Sequence, residues 1–232
     1  VIDRSRAREK LSAVKLRPVA TVLGLAASAA LLLSACAPKT GAAAEVDGGR
    51  ISATSINDPV HAASADDISA LGYASVAEQK IGARTLVLQY LVEEKLFSAA
   101  LDKMGVHPSA ADLAEKHDDA IQVLYASRVT DTGSAGDQRL AASLKQNGVD
   151  ADFASHVLRA AELEAVFADE AGVDLIDSTS GAANASDIGP AVQKLGVKVS
   201  INPRYGTWSW DALGVDQVSL PGFLSLAPAA AA

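Results

Sequence analysis

The run LVLQYLVEEKLFSAALDKMG, residues 86–105, decides how this chain is read. Leu88, Leu91, Val92, Leu96, Ala99 and Ala100 recur at spacings of three and four, which is one apolar stripe of a helix. Gln89, Glu93, Glu94 and Lys95 fall mostly opposite, on what the pattern predicts to be a solvated face. The periodicity extends the helix back to about Ala74 and forward to Met104. Gly105 supplies the C-terminal stop, and Pro108 lies beyond it.

Downstream, Ser109 is placed to cap a second helix, with Asp112 at the third position of a near capping box. Leu113, Ile121, Leu124 and Tyr125 are its apolar positions. Gly133-Ser134-Ala135-Gly136 reads as a break. A short third helix is predicted from Asp137 to Gln146, ending at Asn147-Gly148. A fourth starts near Asp150 or Asp152 and carries Phe153, Val157, Leu158, Leu163, Val166 and Phe167 as far as Gly172. Residues 175–189 read as loop, and Asp187 to Leu195 as a brief helix.

Strand signals sit at the two ends of this helical stretch. Two short runs flank Asp47-Gly48-Gly49, a hairpin signal, because aspartate and glycine accept positive φ. Val197-Lys198-Val199-Ser200-Ile201 alternates apolar with polar, as a half-buried strand does. Two- and one-stranded fragments are not stable alone. The C-terminal strand is therefore expected to return and pair with the hairpin. The fold class that follows is mostly α: a four-to-five-helix bundle with a small β-sheet formed by an N-terminal hairpin and a returning C-terminal strand. Residues 54–72 are ambiguous: Asp58-Pro59 is a break, and Ser64 is placed to cap a short helix towards Leu71. The folded domain is drawn over 44–212, with 213–232 as a low-complexity tail.

Upstream, residues 1–35 have a different grammar. Arg4, Arg6, Arg8, Lys10, Lys15 and Arg17 form a basic head, and no residue from Pro18 to Leu33 is charged. Leu33-Ser34-Ala35-Cys36 follows. A basic head, an apolar stretch and small residues before a cut are the pattern of an export signal. The ending resembles the lipobox of bacterial lipoproteins: leucine, a small residue, alanine or glycine, then cysteine. The resemblance implies cleavage between Ala35 and Cys36 and a lipid on the Cys36 thiol. The apolar stretch has 16 residues, short of the roughly 20 a membrane span needs. The alternative reading is an uncleaved anchor with a passive cysteine. Residues 36–43 are then the lipidated cysteine and a tether, with the body close to the membrane.

Composition bounds the rest. The chain carries 28 acidic and 20 basic side chains, net −8. Residues 1–35 hold six of the bases and two of the acids, so residues 36–232 carry 14 bases and 26 acids, net −12. That disfavours nucleic acid and anionic lipid surfaces as partners. Cys36 is the only cysteine, which rules out an internal disulfide. Abundant alanine favours helices but makes each buried face thin.

The layout resembles the N-terminal, non-catalytic domain of SurA- and PrsA-type foldases. Val46-Asp47-Gly48-Gly49-Arg50-Ile51 is similar to that family's opening hairpin, and residues 86–109 to its long helix and the turn after it. Asn202-Pro203-Arg204-Tyr205-Gly206-Thr207-Trp208 is similar to a strand after the chaperone region, and is the most specific of the three. The likeness spans about 44–212. It implies a membrane-anchored module that holds newly exported, unfolded polypeptide. Members often carry a parvulin prolyl isomerase before the final strand. Only about 25 residues separate Gly172 from Val197, too few for such a domain. The chain is therefore read as a non-enzyme, and the other use of such a fold is a scaffold docking a single envelope partner.

No constellation supports other chemistry. His61, His107, His117 and His156 have no metal-ligand spacing, and no phosphate loop or GxSxG elbow is present. No cofactor and no metal are expected, and the oligomeric state is not specified. Glu93-Glu94 and the pair Glu162 and Glu164 read as helix surface. Tyr205, Trp208 and Trp210 form the one aromatic cluster and include both tryptophans. They read either as a platform for peptide side chains or as a staple of the returning strand onto the helices. Asn202, Pro203, Arg204, Tyr205, Gly206 and Trp208 are taken as mainly structural.

Overall fold

The computed structural model describes residues 41–125, 133–176 and 184–216, all within one unit that begins at Pro38. Strands β1 (Ala42–Val46) and β2 (Gly49–Ser52) form the hairpin. Its turn places Asp47 at φ 47° and Gly48 at φ 88°. Strand β3 (Val199–Ile201) returns to the other side of β1, so the antiparallel order is β2-β1-β3, with Ala44 opposite both Ile51 and Ile201. Ala42, Ala43 and Ala44 are almost fully buried. The tether expected over 36–43 therefore ends before residue 42. Alanine is a poor strand former, but pairing on both edges satisfies this backbone, and that pairing reaches across about 155 residues.

Helix α1 (Ala53–Asn57) and helix α2 (Ala65–Ala70) are short, capped by Ser52 and Ser64. Helix α3 (Val76–Met104) spans 29 residues, with Ser75 Oγ accepting the Glu78 N–H at its start and Gly105 in the left-handed conformation at its end. It buries Val87, Leu88, Val92, Leu96, Phe97, Ala100 and Leu101. Near its first turn the fully buried Gln79 accepts the Ala63 N–H at 3.3 Å and donates to the Asn147 carbonyl at 2.7 Å. One amide thus ties α3 to two distant loops.

The single helix expected after Ser109 is two: α4 (Ala110–Glu115), opened by a complete Ser109/Asp112 capping box, and α5 (His117–Leu124). The bend falls at Lys116, whose ammonium pairs with Asp169. Helix α6 (Gly133–Gln146) starts four residues before its expected first residue. Gly133 and Gly136, read as a break, form its first turn. Asp118 Oδ1 accepts the Gly133 N–H at 3.1 Å, a cap supplied from α5. A 3-10 turn (Ala151–Phe153) leads into α7 (Ala154–Ala171), closed by Gly172. Helix α8 (Ala185–Lys194) precedes β3.

Helices α3 and α7 form the principal packed pair. Phe97 and Phe167, both essentially unexposed, meet with ring centroids 5.7 Å apart. Beyond β3, β4 (Thr207–Ser209) pairs with β5 (Gly214–Asp216), Trp208 opposite Val215. This second hairpin corrects the tail boundary: Leu213, Gly214 and Val215 are buried, so the folded body runs to at least Asp216. The architecture is mostly helical with a small antiparallel sheet.

Candidate functional site

An open concave surface with a mixed lining lies where the β1–β2 hairpin meets α3 and α7. It has a volume of about 470 Å³. Val46, Ala99 and Leu163 form its apolar part, and Lys95, Lys103 and Arg159 its cations. Lys103 Nζ lies 3.1 Å from Asp47 Oδ2, so the turn that ends β1 is fastened to α3 at the groove's edge. A second groove of about 630 Å³ lies between the ends of α3 and α7 and the flank of α8. Met104, Phe167, Val173 and Leu195 line it, with Asp187 and Lys194 at its polar side.

Behind the first groove, the α3–α7 contact holds a pair of carboxylates. Glu164 is 8% exposed and has no hydrogen-bond or ion-pair partner among the described residues. Burial pushes its carboxyl up to about 7. Glu93 is held well above the usual carboxylate range, first by burial and then by the Glu164 charge, while a hydrogen bond from Gln89 Nε2 at 3.0 Å works the other way. Burial, then Glu93, Glu164 and Tyr125, also raise the Tyr90 phenol. Desolvation disfavours the charged form of an acid, and a second acid nearby adds to the effect. The surface reading of Glu164 is therefore overturned, and Glu93 is half-buried beside it. Helical spacing put Glu93 opposite the main stripe, but α7 covers that flank as well. The signal was tertiary, since nothing local distinguishes Glu164 from the genuinely more exposed Glu162.

The Asn-Pro-Arg-Tyr-Gly-x-Trp run forms the link from β3 to β4. The Asn202 N–H donates to the Ala43 carbonyl at 2.8 Å and Asn202 Nδ2 to the Ala42 carbonyl at 3.2 Å, which fixes the link to the central strand. Asn202 also turns the chain: its carbonyl accepts the Tyr205 N–H and its Oδ1 the Arg204 N–H. Pro203 and Arg204 are exposed on that turn. Gly206 has φ 132°, and a side-chain carbon there would collide with the Asp216 carbonyl oxygen. Only glycine fits both the angle and the space. Tyr205, Trp208 and Trp210 are partly buried and pack against the core, the two indoles edge to face at 6.1 Å. Their faces do not line either groove described above.

Each histidine meets a carboxylate: His61 with Asp150, His107 with Asp102, His156 with Glu94, and His117 with both Asp137 and Glu162. Among the described residues no group of His, Cys, Asp and Glu is arranged to hold a metal ion. Ala35 and Cys36 lie outside the described residues. No helix among the described residues is long and apolar enough to cross a membrane. No family model matches this chain, and neither curated proteins nor solved structures give a match.

Proposed function

We propose that this chain is a lipoprotein on the extracytoplasmic face of a cell membrane, anchored through Cys36, whose folded module holds segments of newly exported, unfolded polypeptide without isomerising them. The observation that supports the holding role is the groove between the β1–β2 hairpin, α3 and α7. It is open and mixes apolar surface with charge. Such a surface suits extended chain better than a compact small molecule, which is usually enclosed. The non-enzymatic reading is supported by the shortness of the stretch between α7 and β3, in which α8 is the one helix among the described residues.

A second reading is a scaffold that docks one envelope partner. Val76, at 44% exposure, is the one large apolar side chain well exposed among the described residues. A generalist holdase would be expected to show more such surface. Two experiments separate the readings. The full chain in nonionic detergent should suppress aggregation of several unrelated unfolded clients; no effect on any of them removes the holdase reading. Crosslinking in cells should give many exported clients for a holdase and one stoichiometric partner for a scaffold.

A further inference from the structure

The charges around the hairpin–α3–α7 groove are unevenly satisfied. Its three carboxylates all have partners. Asp47 pairs with Lys103, Glu94 Oε2 lies 2.8 Å from His156 Nδ1, and Asp102 Oδ1 lies 3.1 Å from His107 Nδ1. Two cations remain. Lys95 on α3 and Arg159 on α7 have no ion-pair or hydrogen-bond partner among the described residues. The chain carries 28 acids to 20 bases, yet neither cation at this groove meets one among the described residues.

Arg159 is half-buried, on the wall between this groove and a neighbouring one lined by His117, Asp118 and Glu162. Of the acids on that side, Glu115 makes no ion pair with Arg159, and the other two are engaged elsewhere. Glu162 Oε1 lies 3.2 Å from His117 Nδ1, and Asp118 caps α6 through the Gly133 N–H. The guanidinium thus has five N–H donors, reduced access to water and no internal acceptor. Its planar fork matches a carboxylate in two parallel hydrogen bonds, and charge-assisted bonds of this kind are the strong ones. Lys95 Nζ sits over Gly49, at the hairpin side of the same groove, and adds a second positive charge.

We propose that Arg159, assisted by Lys95, holds the side-chain carboxylate of an aspartate or glutamate within an extended polypeptide segment. The segment's neighbouring apolar residue rests on Val46, Ala99 and Leu163. This deepens the polypeptide-binding reading and rests on it: the module selects acidic-apolar segments rather than apolar ones alone. The chain's overall negative charge opposes such ligands at long range, so the selectivity is local and shows at contact distance.

The test uses the full chain in nonionic detergent and a twelve-residue peptide alternating leucine, alanine and glutamate. The peptide is acetylated and amidated so that side chains carry its only carboxylates. Its twin has glutamine at every glutamate. Binding is read by anisotropy of a neutral dye. The glutamate peptide should bind about tenfold more tightly at low salt, a preference worth about 1.4 kcal/mol, and the advantage should shrink in high salt. Arg159→Gln should remove the preference and leave the glutamine twin's affinity unchanged; Arg159→Lys should restore part of it. Lys95→Gln, at an exposed position that cannot disturb folding, should reduce it in part. Equal binding of the two peptides, or a preference that survives Arg159→Gln, overturns the carboxylate inference while leaving the holding role intact. If neither peptide binds, both fail.

Discussion

Replacing Glu164 by glutamine should make the protein more stable above neutral pH, with little gain in acid. The side chain lies in the α3–α7 interface, 8% exposed and without a hydrogen-bond or ion-pair partner among the described residues. Burial raises its carboxyl from 4.5 to about 7. A folded-state value above the unfolded one means that the unfolded chain ionises first. Stability is then fully present below pH 4.5 and falls as pH rises through 7. The shift is about 2.5 pH units, and at about 1.36 kcal/mol per unit the loss approaches 3 kcal/mol by pH 8. Glutamine keeps the shape and cannot ionise. Urea unfolding, followed by the fluorescence of Trp208 and Trp210, should therefore show the variant's advantage growing by about 3 kcal/mol between pH 4.5 and 8. That corresponds to a midpoint shift on the order of 1–2 M urea. Glu93 keeps its own slope, so the variant should still weaken somewhat in alkali, with Glu93→Gln added to remove the remainder. Parallel stability curves for the native chain and Glu164→Gln across this range would refute the reasoning, because they would mean that Glu164 is solvated in the fold.

Three further outcomes are expected. Gly206→Ala should cost about 2 kcal/mol or more, since the left-handed angle and the Asp216 carbonyl both oppose a side chain; a melting temperature within about 1 °C of the native one would contradict the assigned link geometry. Gln79→Leu keeps the volume of a fully buried side chain but leaves the Ala63 N–H and the Asn147 carbonyl unpaired. It should cost about 2 kcal/mol in chemical denaturation, and a change below about 0.5 kcal/mol would mean that water replaces both bonds. Cys36→Ser should abolish palmitate labelling and move the protein out of the membrane fraction; labelling that persists would place the anchor elsewhere.

Much of this was legible along the chain because it is governed by neighbours in sequence. The stripe from Leu88 to Ala100, the serine caps at positions 64 and 109, the stop at Gly105 and the Asp47-Gly48 turn each need only a few adjacent residues to specify them. The return of β3 to the hairpin also followed, since an isolated hairpin and a lone strand have no other way to satisfy their backbones.

The errors share one cause. Ala42 and Ala43 read as tether because alanine carries no strand signal; β2 and β3 make theirs the central strand. Gly133 to Gly136 read as a break because the cap comes from Asp118 on another helix. Val215 read as tail because its partner strand, around Trp208, is itself too short to announce a sheet. Glu164 read as surface because a helix shows its own stripe in sequence but not which neighbour covers its flanks. Local sequence sets propensity, capping and turns through interactions within a few residues. Burial is a property of what packs against a residue from far along the chain. The sequence by itself determined the long helix, the hairpin and the returning strand of this protein. The tertiary structure alone decided that Glu164 is buried beside Glu93 and that Arg159 meets no acid among the described residues.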